Sequence, residues 1–196
     1  WFFTHPELWD RYRDAYAALA ARLADEPRVV GFEVMNEPYW GTAGITEFEP
    51  ARLAPFYERV AAGLRAAAPG RWVALEPSVA HNLGLGTELP RFGAGEVYAP
   101  HYYPAVTELG NYEGDTAAIA RDFDSIVAEA RRLGAPWLVG EAGIVNDRPR
   151  AADYLRDLLS ACDARFGSVT LWDYARGGVG SWGLIDENGA PHAIVE

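Results

Sequence analysis

Two glutamates stand where apolar runs end. Glu37 follows Val30-Gly31-Phe32-Glu33-Val34-Met35-Asn36 and precedes Pro38; Glu141 follows Trp137-Leu138-Val139-Gly140. A loop carboxylate needs no such approach, whereas a strand end fixes one in space. Two carboxylates facing across a cleft can divide the labour of glycoside hydrolysis. One, kept protonated, donates to the leaving oxygen; the other, ionised, attacks the anomeric carbon. Their mutual repulsion helps one of them retain its proton. The plain alternative for each is a surface or ion-paired glutamate. A position at the tip of a buried strand, twice in one chain, favours chemistry. Asn36, Glu76, His101, Tyr103 and Trp172 fall at comparable points.

The elements that must hold these residues follow from periodicity. Thr4-His5-Pro6-Glu7 fits a capping box with Thr4 as N-cap, and Leu8, Tyr12, Leu19 and Leu23 then recur at helical spacing to about Ala24. Arg28 to Met35 reads as a strand and 39–50 as a loop. Leu53, Phe56, Tyr57, Val60 and Leu64 form a helical stripe that Pro69-Gly70 ends. Trp72 to Leu75 is a strand, 77–95 a long loop, and Val97 to Ala99 a strand running into His101-Tyr102-Tyr103-Pro104. Ile119, Phe123, Ile126, Val127, Ala130 and Leu133 predict a helix stopped by Gly134 and Pro136. Trp137 to Gly140 is the next strand. The stripe Leu155, Leu158, Leu159, Cys162, Phe166 predicts another helix, and Val169 to Trp172 the last strand.

Helices thus alternate with continuously apolar strands, the pattern of a parallel sheet covered on both faces or closed on itself. The residues of chemical interest cluster past strand ends, where a (β/α)8 TIM barrel builds its active site. The fold class expected is α/β, a TIM barrel present only in part, as about five β/α units. A full barrel takes about 250 residues. Residues 1–196 are therefore expected to form one partial barrel domain whose first units, and last helix, lie outside the chain. Trp1-Phe2-Phe3 is expected to be covered by the missing units. Within the barrel, Glu37, Met35, Glu33 and Gly31 share one direction, and Val34, Phe32 and Val30 face the helices.

At this point a resemblance becomes specific. Phe32-Glu33-Val34-Met35-Asn36-Glu37-Pro38 resembles the Asn-Glu-Pro motif on strand four of glycoside hydrolase family 5, the cellulase family. His101-Tyr102-Tyr103 resembles its His-x-Tyr after strand six, Val139-Gly140-Glu141 its nucleophile segment on strand seven, and Trp172 its aromatic closing strand eight. The resemblance covers nearly the whole chain, as strands four to eight. It implies Glu37 as general acid/base and Glu141 as the nucleophile of a retaining double displacement. It further implies Asn36 on the sugar 2-hydroxyl, Tyr103 holding the Glu141 carboxylate, His101 supporting the site, and Trp172 as a sugar platform. The family's Arg on strand two and His at the strand-three rim have no counterpart segment here, so activity is expected of the longer parent protein rather than of this chain by itself.

Several residues keep two readings. Trp40 lines a subsite or packs on the next helix; Glu76 lines a subsite or closes its strand. Trp182, on the glycine-rich loop 177–183, is read as a sugar contact, His81 as a surface residue, and His5 and His192 as solvated. Glu33 is read as a buried structural residue with a cationic or hydrogen-bonding partner, because a lone buried charge is costly. Asp186 to Gly189 is a turn.

Composition narrows the function class. The chain has 196 residues, 49% apolar and 23% charged, enough to build a core. A net charge of −11 argues against nucleic acid and anionic membranes as partners, and no run approaches a membrane span. No metal or cofactor is expected, since no residue set has zinc spacing and the glycine-rich nucleotide motifs are missing; this sets aside a nucleotide-dependent oxidoreductase. The lone Cys162 is read as a buried structural thiol. The expected partner is a carbohydrate or glycoconjugate substrate, the expected state a monomer, and family habit favours export. The default function the resemblance implies is endoglucanase-like hydrolysis of β-glucan. Tyr98 to Pro104 and Trp182 to Asp186 resemble the glycolipid-cleaving, endoglycoceramidase-like branch. A non-catalytic sugar-binding remnant is the alternative from another class.

Overall fold

Helices and parallel strands alternate along the chain, and each strand is short. In this computed structural model residues 1–176 and 182–195 are described, the Glu108 side chain excepted. The strands are β1 (Gly31–Glu33), β2 (Trp72–Leu75), β3 (Glu96–Tyr98), β4 (His101–Tyr102), β5 (Val139–Ala142) and β6 (Val169–Leu171). The helices are α1 (Pro6–Leu23), α2 (Ile45–Phe48), α3 (Ala54–Ala67), α4 (Val106–Leu109), α5 (Thr116–Leu133) and α6 (Ala151–Asp163). Two three-stranded parallel sheets result, ordered β1-β2-β3 and β4-β5-β6. The architecture is that of a partial α/β barrel. The strand expected over 97–99 is present as β3, and β4 begins separately at His101, past Pro100, whose nitrogen has no hydrogen to give a ladder.

The chain divides into two compact units. The first comprises Trp1–His81, Leu85–Ala99 and Glu129–Pro136; the second comprises Asn82–Gly84, Pro100–Ala128 and the described residues from Trp137 on.

In the first unit β1 and β2 bury one face. Phe32, Val34, Val73 and Leu75 are 1–6% exposed, while Gly31, Glu33, Met35 and Ala74 are half-buried on the other face. This matches the predicted alternation along 31–35, but Val30, expected on the helix face with Phe32 and Val34, is 63% exposed. Glu33, read as buried, is half-buried as a residue with its Oε1 atom buried. Leu53, Phe56, Tyr57, Val60 and Leu64 are all within 2% of fully buried, as their spacing predicts. Each such side chain contributes roughly 1.5–3 kcal/mol by leaving water. The helix on α1's side differs from expectation. Its buried face is Trp9 and Ala20, with Tyr12 and Tyr16 between them, and Leu19 is exposed. Residues 2–4 form a 3-10 turn in which the Thr4 hydroxyl donates to the Trp1 carbonyl at 2.8 Å, so His5, not Thr4, is the N-cap of α1. Phe2 and Phe3 meet the rings of Phe56 and Phe48 edge-on at 5.3 and 4.7 Å and are half-buried by their own chain, while Trp1 is 78% exposed.

The segment expected as a loop over 39–50 is partly helical. From Ile45 to Ala67 the helical path is continuous and widens to a π turn over Glu49–Leu53. Pro50 has no N–H for an α-helical bond, and the Ala54 N–H reaches back five residues to the Glu49 carbonyl. Between β2 and β3 there is no α-helix, only a 3-10 turn at Val79–Leu83 inside the expected loop. Two buried or half-buried carboxylates tie this long crossover down. Glu49, 5% exposed, accepts the Ser78 N–H at 2.6 Å, the Thr87 hydroxyl at 2.7 Å and the Glu88 N–H. Glu129 accepts the Thr87 N–H at 3.0 Å and the Tyr98 hydroxyl at 2.7 Å, and meets His81 Nε2 at 3.0 Å. His81 is therefore not a surface residue: its side chain is 14% exposed and paired.

In the second unit Ile119, Phe123 and Ile126 of α5 and Leu155, Leu158 and Cys162 of α6 are buried. The α6 stripe ends sooner than its spacing predicts. The helix stops at Asp163, Phe166 takes a left-handed φ of 53° and is 99% exposed, and Leu159 is 38% exposed. Among the described residues no helix is long and apolar enough to cross a membrane.

Candidate active site

In the first unit the site residues are Asn36, Glu37 and Trp40, on the segment that leaves β1. Two tyrosines of α1 grip that strand from behind. The Tyr16 hydroxyl donates to the Glu33 carbonyl at 2.5 Å and the Tyr12 hydroxyl to the Val34 carbonyl at 2.6 Å. Burial raises both phenols above their ordinary value, that of Tyr16 to about 12, so both stay donors at neutral pH. The Val34 N–H donates to the Ala74 carbonyl at 3.0 Å, extending the ladder past β1. Glu37 then turns at φ 43°, a left-handed conformation that costs a non-glycine residue about 1–3 kcal/mol. Its N–H donates to Glu76 Oε2 at 2.6 Å, and the Pro38 carbonyl accepts the Val79 N–H at 3.1 Å. Asn36 is exposed and Glu37 half-buried. Trp40 stacks on Tyr39 with ring centres 4.2 Å apart, and Tyr39 is 58% exposed.

Glu76 sits just past β2, 1% exposed. Its carbonyl accepts the Tyr57 hydroxyl at 2.7 Å. Both the Glu49 clamp and the Glu76 contact escaped the sequence reading. The signal available for Glu76 was its place, one residue past an apolar strand and before Pro77.

The second unit gathers His101, Tyr103, Glu141, Trp172 and Trp182. Parallel register sets His101 opposite Glu141 across β4 and β5. Glu141 lies inside β5, with Ala142 after it, where it was expected just past a strand over 137–140. The Tyr103 hydroxyl donates to Glu141 Oε2 at 3.1 Å, and His101 Nδ1 lies 3.6 Å from the same oxygen. His101 is 2% exposed, whereas the Glu141 side chain keeps 24% of its surface open. One carboxylate thus has a phenol donor and an imidazole on one oxygen and an open flank. A carboxylate oriented in this way, with an open flank, has the geometry a nucleophile needs.

Trp172, 39% exposed, follows β6, and its N–H donates to the Ala142 carbonyl at 2.9 Å. The peptide from Trp172 to Asp173 is cis. Trp182 meets the Tyr103 ring edge-on at 5.4 Å. The segment that carries it is stitched in place. The Leu184 N–H donates to the Asp173 carbonyl at 2.8 Å, the Asp173 N–H to the Trp182 carbonyl at 3.4 Å, and Asn146 Nδ2 to the Gly183 carbonyl at 2.9 Å. Trp182, read as a sugar contact, is thus held by backbone hydrogen bonds on either side and packs on the Tyr103 ring; residues 177–181 of its loop lie outside the described residues. Gly143 makes room for this arrangement, since a Cβ there would lie 2.5 Å from the Trp172 carbonyl oxygen.

Residues 7–178 match the family model Cellulase (glycosyl hydrolase family 5). The chain belongs to glycosyl hydrolase family 5. It is 27% identical over 199 residues to endoglycoceramidase I of Rhodococcus hoagii (strain 103S), covering 90% of this chain and 39% of that protein. Endo-glycoceramidase II from Rhodococcus sp., solved with ganglioside GM3, superposes with a TM-score of 0.88 at 29% identity, over 97% of this chain and 45% of that one. A further structure of the same protein holds a lactosyl-enzyme intermediate, with a TM-score of 0.82 at 28% identity, over 97% of this chain and 44% of that one. The chain thus spans less than half the length of these relatives. A hyperthermophilic endo-β-1,4-glucanase shares the fold at 17% identity and a TM-score of 0.80, over 97% of this chain and 65% of that one.

Proposed function

We propose that the protein is a retaining β-glycosidase of the glycolipid-cleaving type, releasing sugar from a glycoconjugate by double displacement. The observation that carries this reading is the Glu141 carboxylate, held on one oxygen by the Tyr103 hydroxyl at 3.1 Å and left open on its flank. In the first step Glu141 attacks the anomeric carbon and forms a glycosyl ester. Glu37 gives its proton to the departing aglycone oxygen. In the second step Glu37, now ionised, takes a proton from water, which displaces Glu141 and regenerates its carboxylate. Direct attack requires the two carboxyls to flank one bond about 5–5.5 Å apart. Asn36 serves the sugar 2-hydroxyl, His101 supports Glu141, and Trp172, Trp182 and Trp40 supply ring faces for sugar C–H surfaces.

The choice of a glycolipid over a β-glucan rests on the relatives. Those at 27–29% identity are endoglycoceramidases, one with a ganglioside and one with a lactosyl group on the enzyme. The endoglucanase at 17% speaks to fold alone.

The test is direct. The full-length natural protein is incubated with a 2-deoxy-2-fluoro-lactosyl fluoride, then digested and weighed by mass spectrometry. Label on the Glu141 peptide supports the reading; no label, or label elsewhere, removes it. Release of intact oligosaccharide from a ganglioside, but not from soluble β-glucan, supports the glycolipid choice, and the reverse outcome overturns it.

A further inference from the structure

The end of β1 is held by a side chain. Beyond Val34, whose N–H bonds the Ala74 carbonyl, the next carbonyl on that edge of β2 belongs to Glu76, and it accepts the Tyr57 hydroxyl of α3 at 2.7 Å. The Glu76 carboxylate then turns to β1 and receives the Glu37 N–H at 2.6 Å. A carboxylate accepting a peptide N–H makes a short, charge-assisted bond. Glu76 is 1% exposed, so bulk water does not reach that oxygen. On the far side of this bond is a residue at φ 43°, a conformation that a glutamate adopts only where its surroundings insist. The direction of the Glu37 side chain follows from that φ. A relaxed backbone would swing the carboxyl through a large arc.

We propose that Glu76 is a positioning residue for Glu37: its carboxylate, by accepting the Glu37 peptide N–H, fixes the left-handed turn that aims the Glu37 carboxyl at the glycosidic oxygen. This rests on the reading of Glu37 as the acid/base. It replaces both earlier readings of Glu76, as a subsite wall or as a plain strand stop. Tyr57 completes the device, because its bond to the Glu76 carbonyl sets where the carboxylate starts from.

Leaving-group dependence separates aim from folding. A glycoside with an alkyl aglycone needs the proton of Glu37 to depart; a 2,4-dinitrophenyl glycoside does not. In the full-length natural protein, Glu76→Ala is expected to slow cleavage of the alkyl glycoside about 10²-fold with KM nearly unchanged. Formation of the glycosyl-enzyme from the dinitrophenyl glycoside is expected to stay within about threefold. Azide, which attacks the glycosyl-enzyme without giving up a proton, is expected to speed turnover of the dinitrophenyl glycoside and yield a β-glycosyl azide, as it would for Glu37→Ala. Glu76→Gln keeps an acceptor oxygen and is expected to recover at least about tenfold of the loss. The Glu37 amide proton resonance is expected to move upfield in Glu76→Ala and less in Glu76→Gln, a readout independent of turnover. If Glu37→Ala shows the leaving-group pattern and Glu76→Ala loses both substrates equally or neither, the positioning role is overturned. An amide resonance that stays in place also overturns it. If Glu37→Ala itself spares the alkyl glycoside, the acid/base reading falls instead.

Discussion

The Tyr103 hydroxyl and the Glu141 carboxylate share a hydrogen bond of 3.1 Å, and His101 Nδ1 stands 3.6 Å from the same oxygen. Under the proposed mechanism this bond orients the Glu141 carboxylate for attack on the anomeric carbon. Tyr103→Phe is expected to lower kcat by about 10- to 100-fold, the cost of one charge-assisted bond of about 1.5–3 kcal/mol. The variant keeps the ring contact with Trp182, 5.4 Å away. KM is expected to change little. Steady-state kinetics on an aryl β-glycoside decides it, and unchanged kcat would remove Tyr103 from the chemistry.

Gly143 is where this site tolerates no added carbon. A Cβ there would stand 2.5 Å from the Trp172 carbonyl oxygen and 3.2 Å from Cε3 of the Trp182 ring. The first neighbour is backbone and cannot swing away. Gly143→Ala is expected to displace both tryptophans, raise KM by at least about tenfold and cost about 1–3 kcal/mol of stability through overpacking. Urea unfolding with tryptophan fluorescence, beside KM, checks both halves. Normal KM with normal stability would show that the segment yields freely.

Much of this was legible in the sequence because it depends on period and position. The stripe Leu53-Phe56-Tyr57-Val60-Leu64 is buried as spaced, and the alternation through 31–35 turns Phe32 and Val34 to the buried face. His101, Tyr103 and Glu141 do meet, because parallel register sets β4 against β5. What escaped depends on long-range partners. Glu49 read as a loop residue because Gly, Thr and Glu fill 39–50, yet the π turn at Pro50 buries it under the Ser78 and Thr87 donors. Leu19 and Phe166 lie at helical spacing but face water, since α1 packs through Trp9 and Ala20, and α6 stops at Asp163. Spacing names a face; only the neighbouring element decides whether that face is used.

Cys162 offers a probe of the second unit. The thiol is 2% exposed on α6, and burial raises its pKa, with the neighbouring Asp163 charge adding to the effect. Both conditions suppress thiolate at neutral pH. A disulfide reagent such as DTNB is expected to leave Cys162 untouched in the native protein and to react fully in denaturant. The rate at intermediate urea then reports opening of α6. Rapid reaction in native buffer would contradict the placement of this helix.

Glu129 makes the first unit sensitive to acid. Burial is the largest influence on its carboxyl and by itself would raise the pKa. The His81 hydrogen bond and charge, the Tyr98 hydroxyl and the Thr87 N–H together outweigh it, and the net value falls below the ordinary 4.5. Tyr98, held well above its own usual value by burial and by the Glu129 charge, remains a donor throughout. The sign follows from the depressed folded-state value. The stabilisation is fully present above the unfolded value near 4.5 and is lost as pH falls through the lower folded value. Wild-type stability is therefore expected to decline below about pH 5, with this clamp among the causes. Glu129→Gln keeps an acceptor for Tyr98 but carries no proton-linked charge. It is expected to be less stable than wild type at pH 7 and to lose less on acidification, so the two curves converge toward about pH 3. Urea unfolding across that range measures the gap; a constant gap would mean that Glu129 titrates identically in the folded and unfolded chains, and the clamp would then hold the 77–95 crossover by shape rather than by charge.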